Sequence, residues 1–206
     1  MNIRTLFFLA LAGALLLSGG LARAQDLGKP VLLVAAPALQ GLYRETTVIA
    51  VPLAGTHLGF ILNRASRFKL NALFPGHQPS AKVADPVYFG GPEMSEAIFA
   101  VVRGDPGEKA LHLLGEVFVV SNASVVDRII EQTPNDARYF AGFVGWRPGE
   151  LAKEIEAGYW YTAEPDAALF FRPDTNDLWK ELLERTGGSA APRAQGMRAA
   201  SFRITP

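Results

Sequence analysis

Histidine is the first residue type to examine for chemistry, and here it offers little. His57, His77 and His112 are scattered, and none has a second histidine or an acid at metal-ligand spacing. The chain has no cysteine, which excludes a thiolate nucleophile, a disulfide and a cysteine-based zinc site. The phosphate loop G-x-x-x-x-G-K-S/T, the nucleophile elbow G-x-S-x-G and the zinc motif H-E-x-x-H do not occur. No metal, no cofactor and no catalytic residue is therefore assigned.

Weaker constellations have simpler explanations. Gly90-Gly91-Pro92 follows a strand-like run, but an anion site would need a helix behind the glycines, and Pro92 lacks a donor. A tight structural turn fits better. Ser121 and Ser124 lie where a helix begins, and capping accounts for them. Asp174, Asn176 and Asp177 cluster at the head of a second helix, where acids suit the macrodipole. Trp146, Tyr159, Trp160 and Tyr161 would line a groove, though aromatics at strand spacing more often fill a core. Arg193, Arg198 and Arg203 are three charges on a polar tail, too few to hold an anionic surface.

The elements that would position these groups follow from the apolar periodicity. Val31–Ala36, Thr46–Val51 and Gly59–Leu62 read as strands, the second stopped by Pro52. Leu70–Phe74 is at most one helical turn, and 76–84 reads as loop. Val87–Phe89, Ala97–Val102 and Glu116–Val120 are further strands, the last two joined through a turn at 104–107 and Leu111–Leu114. Ala123–Gln132 is a helix capped by Ser121 or Asn122, with Val125, Val126, Ile129 and Ile130 on one face. Ala137–Trp146 is a glycine-containing strand. Pro148 opens a helix anchored by Leu151 and Ile155 and stopped at Gly158. Tyr159–Thr162 and Ala167–Phe171 are apolar segments, and Asp174–Arg185 is the last helix, with Glu181 and Arg185 paired. Strands dominate the first half and helices alternate with strands in the second, which argues an α+β fold.

Charge and the termini bound the function further. One basic residue, the twelve-residue apolar run Leu6–Leu17 and the small-x-small site Ala22-Arg23-Ala24 make residues 1–24 a signal peptide. The run is too short for a membrane span, which needs about 20 residues. Cleavage after Ala24 implies a periplasmic or secreted protein with no membrane span. Losing Arg4 and Arg23 leaves 18 basic against 20 acidic residues, so nucleic acid is not an expected partner. Residues 25–188 form one domain, and 189–206, rich in Ala, Gly, Pro and Arg, read as a disordered tail.

Several stretches together resemble one family. Residues 142–151, Gly-Phe-Val-Gly-Trp-Arg-Pro-Gly-Glu-Leu, resemble the Gly-Tyr-Ala-Gly-Trp-x-Pro-Gly-Gln-Leu signature of the YqgE/AlgH family. Gly59–Arg64 resembles its Gly-Leu-Val-Ile-Asn-Arg strand, and Pro86–Pro92 its Val-Tyr-x-Gly-Gly-Pro turn. The similarity runs in family order from Val31 to Gly187. It implies a single α+β domain with a branched, partly curled mixed β-sheet and flanking helices. It implies no activity and no accepted catalytic residue; part of the family name reflects a proposed role in transcriptional regulation. The chain departs from the pattern at Pro37–Leu42, where an acid is missing, and at Leu53-Ala54, which replace an acid-His pair in a shorter loop. It departs again at Ala65, where the family has proline, and at Glu150, where it has glutamine.

Three functions remain open on the sequence. The favoured one is a non-catalytic binding or interaction domain in the periplasm with a protein or small-molecule partner. Its binding residues are expected among Asn63, Arg64, Tyr88, Gly90, Gly91, Trp146 and Glu150. A hydrolase built from separate loops would draw first on Asn63, Arg64, Tyr88 and Glu150. A transcription regulator is disfavoured by export, neutral charge and the lack of a recognition helix. Asn63-Arg64 closes a buried strand, where such side chains most often bond to adjacent loops.

Overall fold

A computed structural model describes residues 26–107 and 109–187. The leader and the tail beyond residue 188 lie outside the described residues. The apolar run Val31–Ala35 is β1, buried on both faces. β2 (Thr47–Leu53) and β3 (Thr56–Ile61) form a hairpin whose turn residues, Ala54 and Gly55, have φ of 47° and 84°. Two left-handed residues in a two-residue turn match the twist of the flanking strands. The chain continues as β4 (Ala65–Lys69), α1 (Leu70–Leu73), β5 (Pro86–Phe89) and β6 (Glu93–Arg103). Then come β7 (Ala110–Leu114), β8 (Val117–Val120), α2 (Ala123–Gln132) and β9 (Ala137–Trp146). α3 (Glu150–Glu156), β10 (Trp160–Ala163) and α4 (Leu178–Arg185) complete the described part.

The strands lie in the order β10-β1-β2-β3-β9-β6-β8-β7, with β5 and β4 as a branch off β9. β9 is the hub. One edge pairs with β6; the other is shared by β5, opposite Phe140 and Ala141, and β3, opposite Val144–Trp146. The β5–β9 pairing is parallel and the others are antiparallel, so the sheet is mixed and branched.

The sheet also curls. Val34 and Val51 from one end share a core with Leu113, Val117 and Val119 from the other. Leu169 and Phe170, from a 3-10 turn at Ala167–Phe171, and Leu178 and Leu182 of α4 fill the concave side. On the convex side Leu151 of α3 covers Leu33, Val48 and Val144, and the apolar face of α2 covers Ala100, Val102 and Val120. Alternate side chains of each central strand are buried in opposite cores, which is why these strands read as continuous apolar runs. No helix among the described residues is long and apolar enough to cross a membrane.

Several elements differ from the sequence expectation. Pro52 does not stop β2; it pairs with His57 inside the hairpin. Its missing N–H points away from β3, past the end of β1, whose first residue pairs with Ala50. β4 was not foreseen, and Leu111–Leu114 belongs to a strand, β7, rather than to a connection. Residues 78–82 of the expected loop form a 3-10 turn. Asn122 occupies the cap position of α2, but its side chain accepts from the Ser124 hydroxyl at 2.7 Å rather than from a backbone N–H. Pro148 lies before α3, whose cap is the left-handed Gly149. α4 starts at Leu178, because Asp174 bonds the Asn176 N–H at 2.9 Å and holds a turn there instead.

Candidate functional site

The branch of the sheet is built on three glycines. The Gly90 N–H donates to the Ala141 carbonyl, and the Gly90 carbonyl accepts from the Ile61 N–H, both at 2.9 Å. A Cβ on Gly90 would lie 2.2 Å from the Gly142 carbonyl oxygen, and one on Gly91 2.2 Å from the Phe143 carbonyl. Gly142 has φ of 69°, and its Cβ would lie 2.4 Å from the Gly91 oxygen. The backbones approach too closely for any side chain. The Gly90 donor is spent on the ladder rather than offered to a ligand.

Trp146 is 4% exposed and lies over Gly59, whose Cβ would be 3.0 Å from the indole Cζ3. The close approach is thus made at Gly59 rather than at Gly145, where a Cβ would meet the Glu93 side chain at 3.4 Å and the Phe143 ring at 3.5 Å. The Trp146 Nε1–H donates to Glu154 Oε2 at 2.9 Å, and the Trp160 Nε1–H donates to the same oxygen at 2.8 Å. Tyr43 packs edge-on against Trp160. Burial, helped by the charges of Glu154, Glu93 and Glu150, pushes its hydroxyl up to about 12. Glu150 accepts the Arg147 N–H at 2.8 Å and so closes the turn into α3.

Tyr88 is also buried, packed on Phe140 with the Arg138 guanidinium 4.5 Å from its ring centroid. Arg138 is 3% exposed and donates to the Arg172 carbonyl at 2.6 Å and to Asp85 Oδ2 at 3.0 Å. It ties two connecting segments to the middle of the sheet.

Asn63 and Arg64 are placed differently. Asn63 Oδ1 accepts the Thr47 N–H and Nδ2 donates to the Glu45 carbonyl, each at 2.9 Å. The amide thus terminates the β2–β3 ladder and holds Glu45, whose φ of 54° is unusual for a residue with a side chain. Arg64 Nη2 donates to the Arg44 carbonyl. Both side chains then border a cavity of about 350 Å³ with Glu45, Asn176, Asp177, Trp179 and Lys180. A second hollow, about 390 Å³, shares Arg64 and is walled by Gly41, Leu42, Ala65, Ser66 and Phe89. The first carries two acids and two cations; the second is mainly apolar. Of the expected binding residues, the structure brings only Asn63 and Arg64 to these cavities.

Residues 32–191 match the model of the AlgH-like family. The chain belongs to this family. Among similar relatives, a UPF0301 protein of Chlorobium limicola is 30% identical over 135 residues, which is 64% of this chain and 71% of that protein. A UPF0301 protein of Thermobifida fusca is 29% identical over 174 residues, 78% and 87% of the two chains. The solution structure of the AlgH protein from Pseudomonas aeruginosa superposes with a TM-score of 0.62 at 24% identity, covering 77% of this chain and 88% of that one. Protein DIP2367 from Corynebacterium diphtheriae gives the same TM-score at 23% identity, covering 77% and 86%. The AlgH-like fold is thereby established, and the glycine and tryptophan signatures of this AlgH-like chain are the parts that build it.

Four polar residues in these arrangements escaped sequence reasoning. Glu154 gave no signal, because its tryptophans are eight positions before and six after it. Arg138 sat unremarked inside a strand. Asp177 and Lys180 come to Asn63 from the far end of the chain; the cluster Asp174, Asn176 and Asp177 reads from sequence only as the head of a helix.

Proposed function

We propose that this AlgH-like domain is a non-catalytic binding module, exported to the periplasm or secreted, and that its ligand occupies the cleft around Asn63 and Arg64. One observation carries the reading. Two cavities of about 350 and 390 Å³ meet at Arg64, while Tyr88, Gly90, Gly91, Trp146 and Glu150 are committed to packing and turn formation. Volumes in this range suit a small ligand or one or two residues of a peptide. The charged side chains of Glu45, Asp177, Arg64 and Lys180 around the cleft favour a polar partner that itself carries charge.

A thermal-shift screen of metabolites and short peptides, run in parallel on Arg64→Ala/Lys180→Ala, tests the site. Stabilising compounds that lose their effect on the double variant are expected; compounds that stabilise both alike, or none at all, would overturn it. Export is tested by mass spectrometry of the mature protein, which should begin at Gln25. Residues 1–24 still attached to a cytosolic protein would remove that part of the reading.

A further inference from the structure

The β2–β3 ladder ends at Asn63, but the strand does not. Leu62 still donates to the Thr47 carbonyl, and the Asn63 side chain takes the next two positions. Upstream of Thr47 the partner chain turns away through Glu45 and the 3-10 turn Gly41–Tyr43. Residues 62–69 nevertheless run on into β4, which has β5 as its one strand partner among the described residues. The side that β2 would have covered is open.

The backbone orientation can be read from the β5 pairing. The Phe89 N–H donates to the Arg64 carbonyl, so Arg64 directs its backbone groups to β5. Successive residues of a strand alternate, so Ala65 directs its N–H and C=O to the open side. At that step lies the hollow walled by Leu42, Ala65 and Phe89. Along the strand stand Arg64, Arg67 and Lys69, all exposed and without an ion pair among the described residues. Phe68 is 45% exposed and Leu42 47%.

We propose that β4 takes up an extended acidic segment of another polypeptide as an added strand, in line with β2, with one apolar side chain in the Leu42–Phe89 hollow. This rests on the cleft reading above and names its occupant. Three cations on one edge repel a second copy of the same edge and attract an acidic chain. Main-chain bonds supply affinity in such additions, and a pocket for one side chain supplies register. β4 pairs with β5 at Ala65 and Lys69 with an irregularity between them, so the regular part of the open edge is centred on Ala65 and takes about two or three residues of a partner.

The probes are the blocked peptide Ac-Glu-Val-Glu-Leu-Glu-Thr-NH2, its lysine-for-glutamate counterpart, and the acidic peptide N-methylated at alternate amides. Each is titrated into the mature protein and followed by amide chemical shifts and hydrogen exchange. The acidic peptide is expected to bind and to slow exchange in Ala65–Lys69. Binding should weaken at least ~10-fold on N-methylation, in Ala65→Pro, and in Arg67→Glu/Lys69→Glu. Equal binding of the lysine or N-methylated peptide, or no binding, overturns the proposal. Shifts confined to Asn176–Lys180 also overturn it, but leave the cleft reading standing.

Discussion

The glycine junction and the β4 edge are reached from the same strand, yet they are built in opposite ways. At the junction Gly90, Gly91 and Gly142 bring backbones within the space of one Cβ, and Trp146 beside it donates to a buried-side carboxylate. At the edge, a few residues after Ile61, the ladder loses a strand, side chains stand exposed and two cavities open. The densest run of recognisable motif is thus the part with the least room for a ligand. The cavities collect where the ladder stops.

Gly142→Ala is the harshest test of that contrast. A left-handed φ and a Cβ 2.4 Å from the Gly91 oxygen should cost more than about 4 kcal/mol. Gly145→Ala, whose Cβ makes ordinary contacts with Glu93 at 3.4 Å and Phe143 at 3.5 Å, should change stability by less than about 1 kcal/mol. Urea denaturation of the pair decides it, and equal midpoints would deny the junction its structural role.

Glu154→Ala comes next. It leaves two buried indole N–H groups without an acceptor, for a loss of about 2–4 kcal/mol. Glu154→Gln keeps one acceptor oxygen and should lose less, and tryptophan fluorescence reports the clamp directly. Asn63→Ala is expected to cost about 1–2 kcal/mol and to speed amide exchange at Thr47 without touching the junction. Exchange that spreads into β9 would erase the distinction between the two regions.

The mildest perturbation is alkaline pH. The Tyr43 hydroxyl ionises near 12 in the fold and near 10 when unfolded. Its contribution is therefore constant below pH 10 and is lost as pH climbs from 10 to 12. Burial moves Tyr139 in the same direction. Denaturation midpoints should fall across this range and fall less in Tyr43→Phe; an identical fall would place the alkaline sensitivity elsewhere.

How far the sequence could be read depended on periodicity. α2 and β9 have the bounds expected of them, because a helical stripe and a long stretch rich in aromatic and apolar residues leave little choice. β4 escaped because Ala-Ser-Arg-Phe-Lys has neither alternation nor β-branched residues; pairing with β5 makes it a strand. Asn63 was legible as a strand-closing residue that binds neighbouring loops, and it does so. The wall opposite it was not legible, since Asn176–Lys180 reaches Asn63 only through the packing of α4 under the curled sheet. Glu154 and Arg138 act through partners set by tertiary approach, which no local spacing announces.

The place of β10 beside β1 has a consequence for how the chain comes into being. Leu32 pairs with Ala163, so the first strand waits for almost the last before both its edges are filled. β9, the hub, also arrives late and must find β3 far behind it. Such long-range closure is slow, because most of the loop entropy is spent before the contacts that repay it exist. Until that last strand is made, one edge of β1 has no partner and the sheet cannot close.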